Sequence, residues 1–253
     1  MLAQILNLNM FAFLLVFARL GTAFSIMPGF SSNQIPMTIR LTFALVVCFL
    51  VTPVLTPYLP AQPAAMSSLT LLIASEILIG GFLGIIPRVF MGALQTAGTI
   101  LAMVSSLANM FVMDPIADQQ SSLLSSFLGL VGLTLVFVTN THHLMLAAAV
   151  DSYSLFEPVN GVNFGDMSDY LAHSVSESFR IGVQLASPLI LSAIAYYLGL
   201  GIMGRLMPQL PVFFFGMPIQ ISLQIFLILT TLPAMMMVFM RYFEDGLLKF
   251  VNG

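Results

Sequence analysis

The sequence has no tryptophan, one cysteine, three histidines and very little charge: seven bases and ten acids in 253 residues. Each shortage excludes something. The lone Cys48 forms no internal disulfide and builds no cysteine metal cluster. Seven scattered Lys and Arg provide no basic footprint for nucleic acid. At 7% charged, against about 25% in an ordinary soluble domain, the chain cannot cover itself with a hydrated surface. A free soluble enzyme is therefore excluded. Without Trp, half of the usual aromatic belt of a membrane protein is missing. No G-x-S-x-G, Walker loop or dinucleotide fingerprint occurs, so hydrolase, ATPase and dehydrogenase readings have no support.

What is present is apolar. Hydrophobic residues make up 59% of the chain, with 22 Phe and 18 Met, and the mean hydropathy is +1.03. The natural unit of length is then the membrane span of about 20 residues. Apolar helices are expected at 10–27, 41–59, 69–86, 89–107, 123–150, 181–203 and 212–240. The first reads as a retained span rather than a cleaved signal, because its start is uncharged and Arg19 lies within the run. Residues 60–68, rich in Pro, Ala and Ser, read as an external loop. Residues 109–122 are a polar break holding Asp114-Pro115, and 152–178 form an extended acidic region. A further loop is expected around Pro208–Pro218, and a short tail of mixed charge follows residue 240. Continuous runs rather than alternating ten-residue segments predict an all-α multi-helix membrane protein, not a β-barrel. Its helices form apolar hairpins broken by Pro and Gly within one domain over residues 1–253. The positive-inside rule has little to work with: Arg40 and Arg88 can share a side, whereas Arg205 and Arg241 flank a single span.

Few residues carry chemistry. His142-His143 are adjacent, so they point about 100° apart on a helix instead of sharing a face as zinc-binding His at i and i+4 do. Arg19, Glu76 and Arg88 lie in or beside apolar runs, where ionisable groups pair or line a wet path. A proton relay would use several intramembrane acids, and Glu76 stands alone, which favours a structural Arg19–Glu76 pair. Gly80, Gly81 and Gly84, continued by Gly92, Gly98 and Ala102, mark close helix packing against this chain or another. Two apolar clusters sit beside helix breakers. Met110, Phe111 and Met113 precede Asp114-Pro115, and Phe213, Phe214 and Phe215 lie between prolines. Such clusters suit a hydrophobic constriction or a subunit contact.

Taken in order, these stretches resemble the FliR family of flagellar biosynthesis proteins, which includes the matching export subunit of virulence type III secretion systems. The likeness rests on ARLGTAFSIMPGF and QIPMTIRLTFAL, with Arg19, Gly21, Pro28, Pro36 and Arg40. It continues in EILIGGFLG, QTAG and MDP, then NTHH at 140–143, and closes on LASPLI and GIMGRLMPQLPVFFFGMP. Ser106, Thr141 and Pro211 depart from the family pattern, where Gly, Gly and Asn are usual.

The resemblance implies a protein that is not an enzyme and needs no cofactor or metal. It implies a subunit of an export gate, completing a helical ring with P and Q export subunits in the bacterial inner membrane at the flagellar basal body. Further partners implied are the large export-gate protein with a cytoplasmic domain and the unfolded proteins that pass through. Residues 106–122 correspond to the family's plug, with Met110, Phe111, Met113, Asp114 and Pro115 as its residues and Phe213–Phe215 as a second apolar loop. The alternative class is a small-molecule or ion permease coupled through Arg19 and Glu76.

Overall fold

The computed structural model describes residues 2–32, 35–105, 111–113, 120–158, 164–207, 209 and 212–251. The side chains of 2–9, 111–113, 120–121 and 212–215 lie outside that description. Seven α-helices follow one another among the described residues: α1 Leu2–Ile26, α2 Met37–Leu55, α3 Met66–Val104, α4 Leu123–Val138, α5 His142–Leu155, α6 Phe164–Leu206 and α7 Val212–Val251. A single 3-10 turn, Thr56–Tyr58, extends α2. The expected all-α class holds, with one small addition. Strands β1 (Phe111–Met113) and β2 (Gln120–Ser122) pair antiparallel, with Phe111 opposite Ser122 and Met113 opposite Gln120.

Several boundaries differ from the sequence expectation. The spans expected at 69–86 and 89–107 are one helix, α3, which runs through Pro87. Proline removes one backbone donor, and in apolar surroundings neighbouring helices hold the chain on course regardless. The single span expected at 123–150 is instead two helices, α4 and α5, bent by 73°. Asn140 sits at the bend with φ of 61°, a left-handed conformation that Asn tolerates better than most residues. Neither was expected to be where it is, because proline is the louder breaker in sequence.

The acidic stretch expected as a loop over 152–178 is helical from Phe164 onward, with Asp166 in the first turn. A carboxylate there complements the positive end of the helix dipole. Likewise α7 starts at Val212, so the stretch expected as a loop reaching Pro218 is mostly helix, and the expected tail continues α7 to Val251. Pro188 lies inside α6, and the hydroxyl of Ser187 donates to the Gln184 carbonyl at 2.7 Å. That carbonyl is the one Pro188 leaves without its helical N–H donor.

Among the described residues, four helices are long and apolar enough to cross a membrane: Met37–Tyr58, Met66–Val104, Phe164–Leu206 and Gly216–Val251. The bent α4–α5 pair would make a fifth. The chain clusters into two compact units, and the boundaries fall inside α3, α4, α6 and α7. One unit comprises Met1–Phe90, Val136–Val175 and Phe243–Gly253; the other comprises Met91–Leu135 and Ser176–Tyr242.

In the first unit, α2 touches its neighbours through a narrow stripe, Ala44, Cys48, Thr52 and Leu55, while Phe49, Leu50 and Val54 stay exposed. Its α1–α3 packing rests on glycine. A Cβ on Gly80 would overlap the Arg19 carbonyl and the Thr22 hydroxyl, and one on Gly84 would come within 2.8 Å of the Ala23 carbonyl. Gly81 points elsewhere, with only Ile26 Cδ1 at 4.0 Å. The G-x-x-x-G partner is thus this chain's own α1. A ring cluster of Phe82, Phe156, Tyr170 and Phe250, with centroids 5.2–6.4 Å apart in edge contacts, closes the same unit. In the second unit, Gly182 packs on Thr96 and Ala93 and Gly132 on Leu94, around a core that includes Leu101, Leu185, Leu189 and Phe239.

Candidate functional site

Arg19 stands on α1 and Glu76 on α3, both fully buried. Arg19 Nε donates to Glu76 Oε2 at 2.7 Å and Nη2 to Oε1 at 2.9 Å, a bidentate fork. Nη1 donates to the Ser152 carbonyl at 3.2 Å and to its hydroxyl at 3.4 Å, and Nη2 also reaches the Phe156 carbonyl at 2.9 Å. All five guanidinium N–H groups thus find an acceptor. The guanidinium carbon lies 3.8 Å over the Tyr153 ring, which adds a desolvated cation–π contact. Phe156 is the C-cap of α5, beyond the reach of the helical ladder, and Ser152 lies in its last turn, where its carbonyl also accepts the Phe156 N–H at 2.8 Å. Arg19 therefore caps α5 while Glu76 neutralises it. Sequence reasoning paired the two charges but missed Ser152, Tyr153 and Phe156, which fell in a stretch read as polar loop.

The remaining ionisable candidates do not join this cluster. Arg88 is exposed. Arg40 donates through Nη2 to the Ser32 carbonyl at 2.9 Å. The His142 and His143 rings lie tilted against each other with centroids 4.2 Å apart, and His142 stacks on Phe137 at 4.9 Å. Among the described residues, no three His, Cys, Asp or Glu side chains are placed to hold a metal ion together.

The stretch expected to act as a plug has its roots in the second unit. Its stem is the antiparallel pair β1–β2, where a free loop was expected. Met110, Asp114 and Pro115 lie outside the described residues, and Phe111 and Met113 are placed by backbone alone. Downstream, Ser122 caps α4: its Oγ accepts from the Ser125 N–H at 3.2 Å. The Ser125 hydroxyl donates to the Gln95 carbonyl at 3.2 Å. A Cβ on Gly98 would overlap Ser125 Cα and come within 2.9 Å of the Leu124 carbonyl. The QTAG motif is thereby explained: Gly98 lets the first turn of α4 touch α3 backbone to backbone. Phe213, Phe214 and Phe215 lie in the first turn of α7, not in a loop.

Comparison with known proteins agrees over nearly the whole chain. The profile of the family described as bacterial export proteins, family 1, matches residues 10–246. The flagellar biosynthetic protein FliR of Caulobacter vibrioides is 35% identical over 231 residues, covering 91% of this chain and 92% of that protein. FliR of Bacillus subtilis is 32% identical over 92% of this chain and 90% of its own. FliR of Escherichia coli is 28% identical, over 90% and 85% respectively.

Proposed function

Because the chain belongs to the FliR family of bacterial export proteins, we propose that it is a subunit of the flagellar type III protein export gate. It sits in the bacterial inner membrane at the flagellar basal body and forms, with P and Q export subunits, the pore through which unfolded flagellar proteins pass. The large export-gate protein with a cytoplasmic domain is a further partner. The observation that carries this reading is the family match, which runs through nearly the whole chain. Four apolar helices of spanning length support the membrane placement.

The work of such a subunit is mechanical and not catalytic. A pore wide enough for a polypeptide must exclude ions when idle, and apolar side chains do so by excluding water. The segment 106–122 provides the seal, with Met110, Phe111, Met113, Asp114 and Pro115 as its working residues. Met suits the task because its unbranched side chain adapts to a passing chain. Its place between the end of α3 and the start of α4 supports this, since each flank is fixed to packed helix. A permease coupled through Arg19 and Glu76 is less well supported: both groups are buried and the guanidinium's N–H groups are all engaged.

Deleting residues 106–117 tests the seal. Complexes carrying the deletion should assemble and leak sodium or protons, seen as ion-sensitive growth. Replacing Met110 and Phe111 by Ser should leak less and still permit export. A deletion that assembles, exports and holds the membrane potential rules out this segment and moves the seal to Phe213–Phe215.

A further inference from the structure

No acid precedes Glu76 in the sequence, and the cations before it are Arg19 and Arg40. Glu76 neutralises Arg19. Arg40, on α2, has no such partner. Among the described residues it forms no ion pair. Its Nη2 donates to the Ser32 carbonyl at 2.9 Å, and its Nε finds no acceptor. The position of Arg40 sharpens the imbalance. It lies close to the N-terminus of a 19-residue helix, where unpaired backbone N–H groups already make the helix end positive. The N-cap is Pro36, no side chain caps the end, and the first turn holds no acid. This end of α2 is a partly exposed cation with no counter-charge among the described residues.

The same helix is the least covered of the four spans, with 17% of its apolar window buried. With its 3-10 turn it runs 22 residues, Met37–Tyr58. That is about 33 Å at 1.5 Å per residue, close to the ~30 Å hydrocarbon core of a bilayer. A helix that just spans puts Arg40 at one headgroup level and the half-exposed Tyr58 at the other. A shallow groove of about 390 Å³ follows the helix beside Arg40, lined by Thr38, Ile39, Thr42, Phe43 and Val46. Arg40 and Phe43 are i,i+3 neighbours on the helix surface. The Phe43 ring is held in place by stacking on Phe30, with centroids 5.5 Å apart. A phospholipid supplies both halves of this arrangement: an oxyanion that the guanidinium fork matches, and an acyl chain for the apolar groove. A zwitterionic headgroup would bring a second cation to an end that is already positive, so an anionic one fits better.

We propose that the N-terminal end of α2 is a binding site for one anionic phospholipid, with its phosphate on Arg40 and an acyl chain along Ile39, Phe43 and Val46. Bound there, the lipid fixes the depth of α2 in the bilayer. The site requires only that α2 crosses a membrane, so it stands or falls separately from the export-gate reading.

The test takes the full chain, in whatever assembly it occupies, from bacterial membranes with a maleic-acid copolymer. After exchange into mild detergent, mass spectrometry counts the phospholipid retained per chain. The parent should retain phosphatidylglycerol well above its share of the bulk membrane, and phosphatidylethanolamine below its share. Arg40→Gln should lower retained phosphatidylglycerol about tenfold, as expected for loss of a charged hydrogen-bonding partner. Thr42→Trp fills the groove, leaves Arg40 in place and should also lower retention. Arg88→Gln, which removes an exposed cation elsewhere, should retain lipid like the parent. A parent whose retained lipid mirrors the bulk membrane overturns the proposal, and so does an Arg40→Gln variant that keeps its phosphatidylglycerol. An equal loss from Arg88→Gln would mean general surface charge and no site. If inorganic phosphate strips the lipid as well as added phosphatidylglycerol does, the site takes a bare anion and the lipid reading falls. If Arg40→Gln sheds a protein partner while its lipid stays bound, the counter-charge is a partner's carboxylate and the proposal is wrong. Should Arg40→Gln not be recovered, Thr42→Trp carries the test, and parent-level retention there overturns the proposal.

Discussion

Two residue-level features set how much change this chain tolerates. The first is the buried Arg19–Glu76 fork with its α5 carbonyl acceptors. Removing one member leaves an uncompensated charge, which costs about 3–5 kcal/mol. Arg19→Ala and Glu76→Gln should each lower the yield of assembled complex. The paired change Arg19→Met with Glu76→Leu should recover much of it, since an apolar pair leaves no buried charge. Complexes of Glu76→Gln that assemble at parent yield but fail in proton-driven export would instead mark Glu76 as a relay. The second feature is the contrast among three neighbouring glycines. Gly80→Ala and Gly84→Ala drive a methyl group into α1 backbone and should destabilise by about 1–3 kcal/mol. Gly81→Ala meets only a distant methyl and should be neutral, or stabilising by the helix preference of Ala. Thermal melts of the three variants within the same complex separate them. Equal effects at all three positions would show that the G-x-x-x-G face is not what brings α1 and α3 together.

At the scale of the element, the sequence was legible where the signal was composition and misleading where it was a single breaker. Apolar runs located the helical regions, because burial or lipid contact needs a continuous apolar length, but not their division: two expected spans are the one helix α3, and one expected span is α4 and α5. Proline misplaced several ends. Pro87 reads as a boundary yet lies inside α3, and the loop expected to reach Pro218 is helix from Val212 onward, with Pro218 inside α7. A proline alone costs one backbone bond, which packing or a neighbouring hydroxyl such as that of Ser187 can offset. The true break, at Asn140, carries no strong sequence mark. The candidate site was half legible for the same reason: charges in apolar runs stand out, whereas the Ser152 and Phe156 carbonyls that complete the Arg19 site are backbone and have no signature. The bend makes its own prediction. Asn140→Gly should leave stability unchanged or nearly so, because Gly adopts positive φ freely. Asn140→Val should cost about 1–2 kcal/mol, since a β-branched residue resists that conformation. A Val variant that melts with the parent would show that the 73° bend does not need the left-handed residue.

At the scale of the whole molecule, the decisive quantity is apolar surface left uncovered. Only 17% of the best apolar window in Met37–Tyr58 is buried, and 28% in each of Phe164–Leu206 and Gly216–Val251. Phe49 and Leu50 on α2, Leu191 and Leu198 on α6, and Phe226 and Leu229 on α7 each show well over half of their surface. Lipid tails would cover such faces as well as protein would, so exposure alone does not decide between a free membrane protein and a subunit. The internal contacts help to decide. Close approach in both units depends on glycines and on few charges, and in lipid there is no hydrophobic drive to hold helices together. A chain so built keeps its helices but has little to fix their arrangement unless a partner's helices pack on the exposed faces. Expressed alone, the chain should therefore aggregate or be degraded, and with P and Q subunits it should yield one particle of defined composition. Size-exclusion chromatography with light scattering in a mild detergent distinguishes the two. A monodisperse isolated monomer with a cooperative melt would mean that the glycine-mediated contacts suffice, and the exposed faces would then be assigned to lipid.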